Sequence, residues 1–281
     1  MHRPRVTSRL LTYLTLIVGS IVMLVPLAWM LLTSLKSFEE VVASPPVFWP
    51  SAARWGNYRE ALTTFDFSRY LFNSLFLCVA TISGTLVSCT LAAYAFACLK
   101  TRGRDFIFAL LLGTMMLPAQ VTIIPLFKLF ASIGWVDTYW PLIVPSWLGT
   151  NVFAIFLLRQ FFQAVPRDYI EAARIDGASE LRILWSIFVP LSKPVLLTVT
   201  VFAFIGSWND LWGPLIYLHD ESRFTMPLAL LNFIGTSGRA QGSPWQLVMA
   251  VSTVMMVPIV VLFFFAQKRF IEGIATSGVK G

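Results

Sequence analysis

Six stretches of this chain are each long enough and apolar enough to cross a lipid bilayer as a helix. They cover residues 10–35, 71–99, 106–130, 141–162, 194–217 and 245–266. The hydrocarbon core of a bilayer takes about 20 apolar residues in helical form. Only 12% of the residues are charged, against about 25% in a soluble domain, so the chain lacks the charged surface that water requires. The sequence therefore predicts an all-α membrane protein with six transmembrane helices.

The connections between these stretches predict the orientation and the limits of the membrane domain. Two thirds of the 21 Lys and Arg residues lie in the termini, in the loops after the second and fourth stretches, or, for Arg159, near the end of the fourth stretch. Basic residues accumulate on the cytoplasmic side of membranes, so both termini are expected there. We predict a membrane domain over residues 10–266, between cytoplasmic tails 1–9 and 267–281. The long connections are predicted to be external at 36–70 and 218–244, and cytoplasmic at 163–193.

Several classes of function find no support in the sequence. The net charge of +7 is spread over short loops and does not cluster with aromatic residues, as a nucleic-acid groove requires. Cys78, Cys89 and Cys98 lie in one stretch without paired spacing or nearby histidines, which predicts neither a disulfide nor a metal site. No phosphate loop, hydrolase elbow or zinc-protease motif occurs. The chain is expected to be a pathway without catalytic residues and without a cofactor of its own.

Asp210 is the only acidic residue inside a predicted span, where ionisable groups are costly and tend to mark function. Its neighbours Trp208, Asn209 and Trp212 carry an amide and indole rings that suit a polyhydroxylated ligand, so these four are candidates for the substrate path. The open alternative is a polar cluster satisfied by adjacent helices. Asn151, placed midway along the fourth span, either faces the path or joins two helices, and joining is favoured. The spans contain this single acid and no chain of Asp, Glu and His residues, so an ion-coupled carrier is not favoured.

A polar segment with turn signals separates the fourth and fifth stretches. Pro166 is suited to open a helix, and Gly177 is suited to end it in the left-handed conformation. Ser179 can then cap a second helix, with Glu180 well placed against the positive end of its dipole. The pattern predicts two short cytoplasmic helices joined by a glycine turn.

Small residues in the first of these helices indicate a role for the hairpin. Ala172 and Ala173 let another surface approach closely, and Glu171 and Arg174 give that face a charged rim. The alternative is an amphipathic hairpin resting on lipid headgroups, which normally shows a thick stripe of Leu or Trp. The small residues favour a docking element.

The hairpin resembles the EAA loop of ABC importer permeases. The motif is matched, with its spacing, at Glu171, Ala172, Ala173, Gly177, Ile187 and Pro190. Val189 replaces the usual Leu. Further matches run along nearly the whole chain: SLK from Ser34, NY from Asn57, NS from Asn73, GWVDT from Gly134, WND from Trp208 and QKRFIEGIATSGVKG from Gln267. Together these resemble the second permease subunit of carbohydrate importers of the maltose type, which implies the type I ABC importer permease fold.

The resemblance implies an assembly in the plasma (inner) membrane of a bacterium or archaeon. Its other members would be a homologous permease that forms a heterodimer with this chain, two cytoplasmic ATPase subunits that bind ATP and Mg, and an extracytoplasmic solute-binding protein. A sugar is the implied substrate. The spans offer no Arg or Lys near mid-depth for a phosphate group, which favours a neutral sugar. The alternatives are a permease for glycerol phosphate or another small solute, and a stand-alone channel, which would leave the hairpin without a partner.

Three groups of residues receive expected roles. Coupling to the ATPase is expected of Glu171, Ala172, Ala173, Arg174, Asp176 and Gly177. The C-terminal tail, with Ser277, Gly278 and Lys280, is expected to reach toward the ATPase interface. The long external loop is expected to contact the binding protein through Gly235, Ser237, Gly238 and Gln241, because loops of this length are usually functional. A disordered connector is the alternative for that loop.

Overall fold

The computed structural model describes residues 6–237 and 244–277, and within those ranges every regular element is a helix. In chain order the α-helices are α1 (Val6–Ser34), α2 (Phe38–Val42), α3 (Gly56–Thr64), α4 (Phe67–Cys98), α5 (Arg104–Thr114), α6 (Ala119–Ser132), α7 (Trp140–Trp147), α8 (Val152–Ala164), α9 (Asp168–Ile175), α10 (Glu180–Ile183), α11 (Val189–Leu191), α12 (Lys193–Trp208), α13 (Trp212–Tyr217), α14 (Met226–Ser237) and α15 (Trp245–Ser277). A π-helical turn, Leu184–Phe188, joins α10 to α11, and a 3₁₀ turn, Glu221–Arg223, precedes α14.

Four helical segments of the described chain are long and apolar enough to span a bilayer without further assumptions. They are Leu11–Ser34, Phe67–Cys98, Trp140–Ala164 and Trp245–Gln267. They coincide with the first, second, fourth and sixth predicted stretches. A fifth span results if Glu180–Leu191 and Lys193–Trp208 are counted as one, although the two helices are bent by 81°. The all-helical membrane fold is confirmed, whereas the count of six spans stays a prediction.

The third predicted stretch is divided between two helices. Helix α5 ends at Thr114, and α6 begins after Pro118, which has extended backbone with ψ of 131°. A proline cannot donate to the carbonyl four residues earlier, and its ring clashes with that carbonyl. Because Thr114 is that residue, the helix ends where Pro118 requires it to end.

The chain divides into two compact units, Met1–Phe67 with Leu230–Val257, and Ser68–Ala229 with Pro258–Gly281. In the first unit, residues of the SLK and NY motifs form one hydrogen-bonded cluster after α1. The Lys36 ammonium is buried, donates to the Val47 carbonyl at 2.6 Å and lies 4.2 Å from the centre of the Trp29 ring. The Asn57 amide donates to the carbonyls of Ser34 and Lys36, each at 2.8 Å. These motif residues therefore hold the connection between α1 and α3.

The core of the second unit is an aromatic cluster between α4, α8 and the π-helical turn. The ring of Phe188 lies 5.2 Å from those of Tyr94 and Phe162, in both cases edge to face. Aromatic pairs in this arrangement contribute about 0.5–1.5 kcal/mol beyond the area they bury. The cluster fixes the π-helical turn, which leads into the fifth predicted stretch, against the second and fourth stretches.

Candidate functional site: the α9–α10 hairpin and an internal polar cavity

Helix α9 ends in a glycine turn that satisfies its last carbonyl groups. Gly177 has φ of +76°, its N–H donates to the Arg174 carbonyl at 3.1 Å, and the Ala178 N–H donates to the Ala173 carbonyl at 2.9 Å. These two bonds define a Schellman motif, in which a residue without a side chain is favoured at the left-handed position. The left-handed glycine lies where the sequence predicts it. A Cβ at this position would meet no atom of the chain within 4 Å.

Helix α10 starts two residues after this turn. The Ser179 hydroxyl accepts from the Arg182 N–H at 3.4 Å, and Glu180 occupies the first turn of α10. Both features were expected from the sequence. The connection between α9 and α10 is the four residues 176–179, which include the left-handed Gly177 and the capping Ser179, and it leaves the angle between the helices little freedom.

Glu180 also joins the hairpin to the body of the second unit. One carboxylate oxygen accepts from the Arg174 side chain, with N–O distances of 2.8 and 2.9 Å, so it bridges α9 and α10. The other accepts from the Tyr94 hydroxyl of α4 at 2.6 Å. Nothing in the sequence predicts this contact, because Tyr94 lies 86 residues from Glu180 and no local pattern connects them.

The predicted coupling residues are not all equally accessible. Glu171, Ala172, Asp176 and Gly177 are exposed, and Arg174 is exposed while it pairs with Glu180. Ala173 is half-buried against the chain's own hydrophobic core. Three large apolar side chains of the hairpin are also exposed, namely Tyr169, Ile175 and Leu181 at 56%, 86% and 61%. The hairpin thus presents a mixed apolar and charged surface, of which Ala172 rather than Ala173 is the small-residue part.

The second unit contains a partly open cavity of about 270 Å³ with several polar lining residues. Asn151 and Asp210 line it together with hydroxyl side chains, including those of Thr81 and Ser207, which are 3.1 Å apart. Its walls come from α4, α7, α12 and the helix breaks beside them. The structure therefore brings two of the five predicted path residues to one cavity.

Asn151 and Asp210 both lie at helix breaks, not within helices. Asn151 is the N-cap of α8 and accepts from the Ala154 N–H at 3.0 Å, after Gly149 with φ of +71° ends the preceding turn. Asn151 lies midway along the Trp140–Ala164 span, as the sequence predicts, but the helix is broken there because Gly149 permits the left-handed turn that separates α7 from α8. Asp210 follows α12 and accepts from the Gly213 N–H at 3.1 Å.

The other three candidates for the path do not line this cavity. Trp208 is buried and stacks on Phe204 at 5.5 Å. The Asn209 amide donates back to the Ile205 carbonyl at 2.8 Å, and Trp212 is 68% exposed. Asn209 and Trp212 therefore lie on the outside of the isolated chain.

The terminal and external candidates are only partly described. Gly235 is exposed within α14, and Ser237 ends that helix. Ser277 ends α15. Gly238, Gln241, Gly278 and Lys280 lie outside the described residues. Among the residues that are described, no three His, Cys, Asp or Glu side chains come together as a metal site would require.

The hairpin and most residues of the cavity fall within residues 84–275, which match the family described as binding-protein-dependent transport system inner membrane component. This chain belongs to that family. The trehalose/maltose transport system permease protein MalG of Thermococcus litoralis is 32% identical over 281 residues, covering 99% of both chains. The arabinooligosaccharides transport system permease protein AraQ of Bacillus subtilis is 32% identical over 289 residues, covering 100% of this chain and 99% of the relative.

A solved structure shares the fold. One chain of a bacterial ABC transporter involved in the import of the acidic polysaccharide alginate superposes with a TM-score of 0.81. The match covers 95% of this chain and 99% of that one, at 24% identity. The family match and the two relatives show that the chain is an ABC importer permease, a transport subunit in whose system ATP is hydrolysed by a separate subunit.

Proposed function

We propose that this chain forms one half of the translocation pathway of an ATP-driven importer for a sugar, and that the α9–α10 hairpin couples the ATPase to that pathway. The relatives described above act on trehalose or maltose and on arabinooligosaccharides, which supports a sugar as substrate. The proposed partners are a homologous permease, two ATPase subunits and an extracytoplasmic binding protein. Both termini are placed in the cytoplasm by the distribution of basic residues.

The observation that carries this proposal is the contrast between the two sides of the hairpin. One side is fixed, since Glu180 holds Arg174 and Tyr94 at once and Ala173 packs against the core. The other side, with Glu171 and Ala172, is exposed. An element that transmits force between proteins needs both a rigid attachment and an accessible surface. A hairpin lying on headgroups needs no such attachment.

The substrate path is proposed to use the polar cavity beside Asp210 together with the exposed Asn209 and Trp212. A second permease placed against this face would enclose Asn209 and Trp212 between the two subunits. Amide and indole groups there suit a polyhydroxylated solute. The external segment 235–242 is proposed to contact the binding protein, and the C-terminal tail to contact the ATPase.

The test is reconstitution of the four-component complex in lipid vesicles. We expect radiolabelled sugar to enter with ATP present, and the loaded binding protein to stimulate ATP hydrolysis. Calorimetry on the binding protein identifies the ligand class. If the binding protein bound a glycerol phosphate tightly and did not bind a sugar, the proposed substrate would be that phosphate. If this chain alone gave flux without ATP, the chain would be a channel and not an importer subunit.

A further inference from the structure

A second cavity, of about 330 Å³, lies beside the hairpin where two spans end. Its walls include Ala97 and Cys98 at the end of α4, and Phe162 and Gln163 in the last turn of α8. Val165 and Ile170 complete the apolar part of the lining. The cavity is thus built from the last turns of two membrane helices and the segment that follows the second.

The rim of this cavity is strongly cationic. Four basic side chains line it, against the single carboxylate of Glu171: Lys100, Arg104, Arg167 and Arg174. Glu180 pairs with Arg174 and Asp105 pairs with Arg104, so Lys100 and Arg167 carry the positive charges that repel one another unless an anion lies between them. The natural occupant is therefore an anion, and a cavity of this size lies at the lower end of the range of about 300–1,000 Å³ for small-molecule sites.

The four basic side chains are not equally committed to contacts within the chain. Arg174 pairs with Glu180, and Arg104 donates to the Leu99 carbonyl at 3.1 Å and pairs with Asp105 at 3.2 Å. These bonds fix the positions of two of the four cations. The side chains of Lys100 and Arg167 are exposed and make no hydrogen bond or ion pair within the described residues. They are the two donors available to an incoming anion.

We propose that this cavity binds the headgroup phosphate of an anionic phospholipid from the cytoplasmic leaflet. This inference rests on the cytoplasmic placement of the hairpin in the proposed function. Apolar walls at the ends of two spans, below a cationic rim, match a molecule with an acyl chain attached to a phosphate. Basic pockets between membrane helices on the cytoplasmic side bind such headgroups. Inorganic phosphate would use the rim alone and gain nothing from Ala97, Phe162 and Val165.

A bound headgroup would also act on the coupling hairpin. Arg167 and Arg174 lie at the two ends of α9, and Lys100 and Arg104 follow α4. A phosphate held between these pairs ties α9 to the end of α4 on the side opposite the exposed Ala172. The lipid would then stiffen the same attachment that Glu180 and Tyr94 provide.

The experiment compares lipid retention by the purified complex of this chain with its partner permease and ATPase, using native mass spectrometry. Complexes are taken from nanodiscs containing equal amounts of phosphatidylglycerol and phosphatidylcholine. We expect the wild type to retain phosphatidylglycerol preferentially. In the Lys100→Gln/Arg167→Gln double variant we expect the preference to fall by roughly tenfold. The charge-conserving pair Lys100→Arg/Arg167→Lys should retain most of it, which separates loss of charge from misfolding.

Arg102→Gln is the matched control. Arg102 is exposed, lies in the same loop between Lys100 and Arg104, and does not line this cavity. We expect it to retain the wild-type preference. An equal loss in Arg102→Gln would show a diffuse surface charge, and an unchanged double variant would show no site, either of which overturns the proposal.

Two further arms identify the source of the anion. Displacement of phosphatidylglycerol by inorganic phosphate at millimolar concentration would assign the site to a free anion. Retention of phosphatidylglycerol by the permease pair alone, but not after the ATPase binds, would assign the cavity to the protein interface. Both outcomes overturn the lipid assignment. Because retention is measured without transport, the result does not depend on whether the complex imports a sugar.

Discussion

The second unit holds two short polar connections at its opposite helix ends, and they are fixed in different ways. The side-chain hydrogen bonds that attach the α9–α10 hairpin to α4 converge on one carboxylate, Glu180, and most of the motif is exposed. The connection after α13 is held at many points. The Asn73 amide donates to the carbonyls of Ser222 and Phe224 at 2.9 and 3.0 Å, and the Ser74 hydroxyl accepts from the Met226 N–H at 2.8 Å.

Asp137 is the centre of this second connection. Its carboxylate accepts from the N–H groups of His219 and Asp220, each at 3.0 Å, and from Arg223 at 2.8 Å. The Arg223 side chain also donates to the Asp137 carbonyl. Residues of the NS and GWVDT motifs therefore hold the 218–225 connection in place. The hairpin, for which we propose the coupling role, is thus held by a few hydrogen bonds, whereas the 218–225 connection is held by many.

The largest effect is expected from Gly177→Asp, which tests the exposed side of the hairpin. A side chain in the left-handed conformation costs about 1–2 kcal/mol, and an acid here would also collide with the docked ATPase. We expect the protein to insert in the membrane but uptake to stop, with no stimulation of ATP hydrolysis by loaded binding protein. Reconstituted ATPase activity and a pull-down of the ATPase measure this.

Gly134→Asp is the matched control for that variant. Gly134 also has positive φ, +71°, and a Cβ there would meet no atom within 4 Å. We expect comparable strain but retained stimulation. Normal uptake in Gly177→Asp, or equal loss in both variants, would contradict the docking role of the hairpin.

Glu180→Ala should have the next largest effect, because it cuts the attachment of the hairpin while leaving the exposed motif intact. Two bonds to a charged group are lost, each of which contributes about 1.5–3 kcal/mol. Solvent exposure of Arg174 lowers that figure for its pair. We expect stimulation by loaded binding protein to fall several-fold, with the ATPase still bound. Tyr94→Phe removes one bond only and should give a smaller loss. Unchanged stimulation in Glu180→Ala would show that force does not pass through α4.

Asp137→Ala should lower stability more than it lowers coupling. It removes a carboxylate that two N–H groups and one guanidinium use, at a cost of about 1–3 kcal/mol. A domain of this size then melts several degrees lower. Asp137→Asn is the control, since Asn tolerates the left-handed φ of 59° and keeps one acceptor oxygen. If Asp137→Ala stayed folded but loaded binding protein no longer stimulated ATP hydrolysis, the 218–225 connection would also take part in coupling. That result would contradict the contrast between the two connections.

The smallest expected effect is the pH dependence of the stability that Asp137 gives to the 218–225 connection. Hydrogen bonds from the Asp220 and His219 backbone hold the pKa of Asp137 below its usual value of 3.8. A group with a depressed folded-state pKa stabilises the fold fully above its unfolded pKa and loses that contribution as pH falls through the folded pKa. The ordinary pKa of Asp is about 4. The wild type should therefore lose more stability than Asp137→Asn between about pH 5 and pH 3, as measured by thermal melting. Equal losses would contradict this assignment.

The parts of the structure that follow from adjacent residues were predictable. Gly177 and Ser179 determine the turn and the cap by their own backbone and side-chain chemistry, so a single sequence suffices. The Glu180–Tyr94 bond and the Asp137–Arg223 pair join residues 86 positions apart in each case, and no periodicity reports such contacts. The apolar stretches predicted where helices lie but not where they break, because hydropathy is averaged over windows that contain Pro118 and Gly149.

The break between α5 and α6 affects how long the protein is expected to survive in the cell. Met116 and Leu117, at this break, are 85% and 61% exposed. If the third stretch crosses the bilayer, irregular backbone at membrane depth is tolerated only against protein or water, not against lipid. An orphan copy would then be recognised and degraded by membrane quality control, so the amount of mature protein would follow the dosage of the second subunit. A pulse–chase experiment that finds equal lifetimes with and without that subunit would refute this.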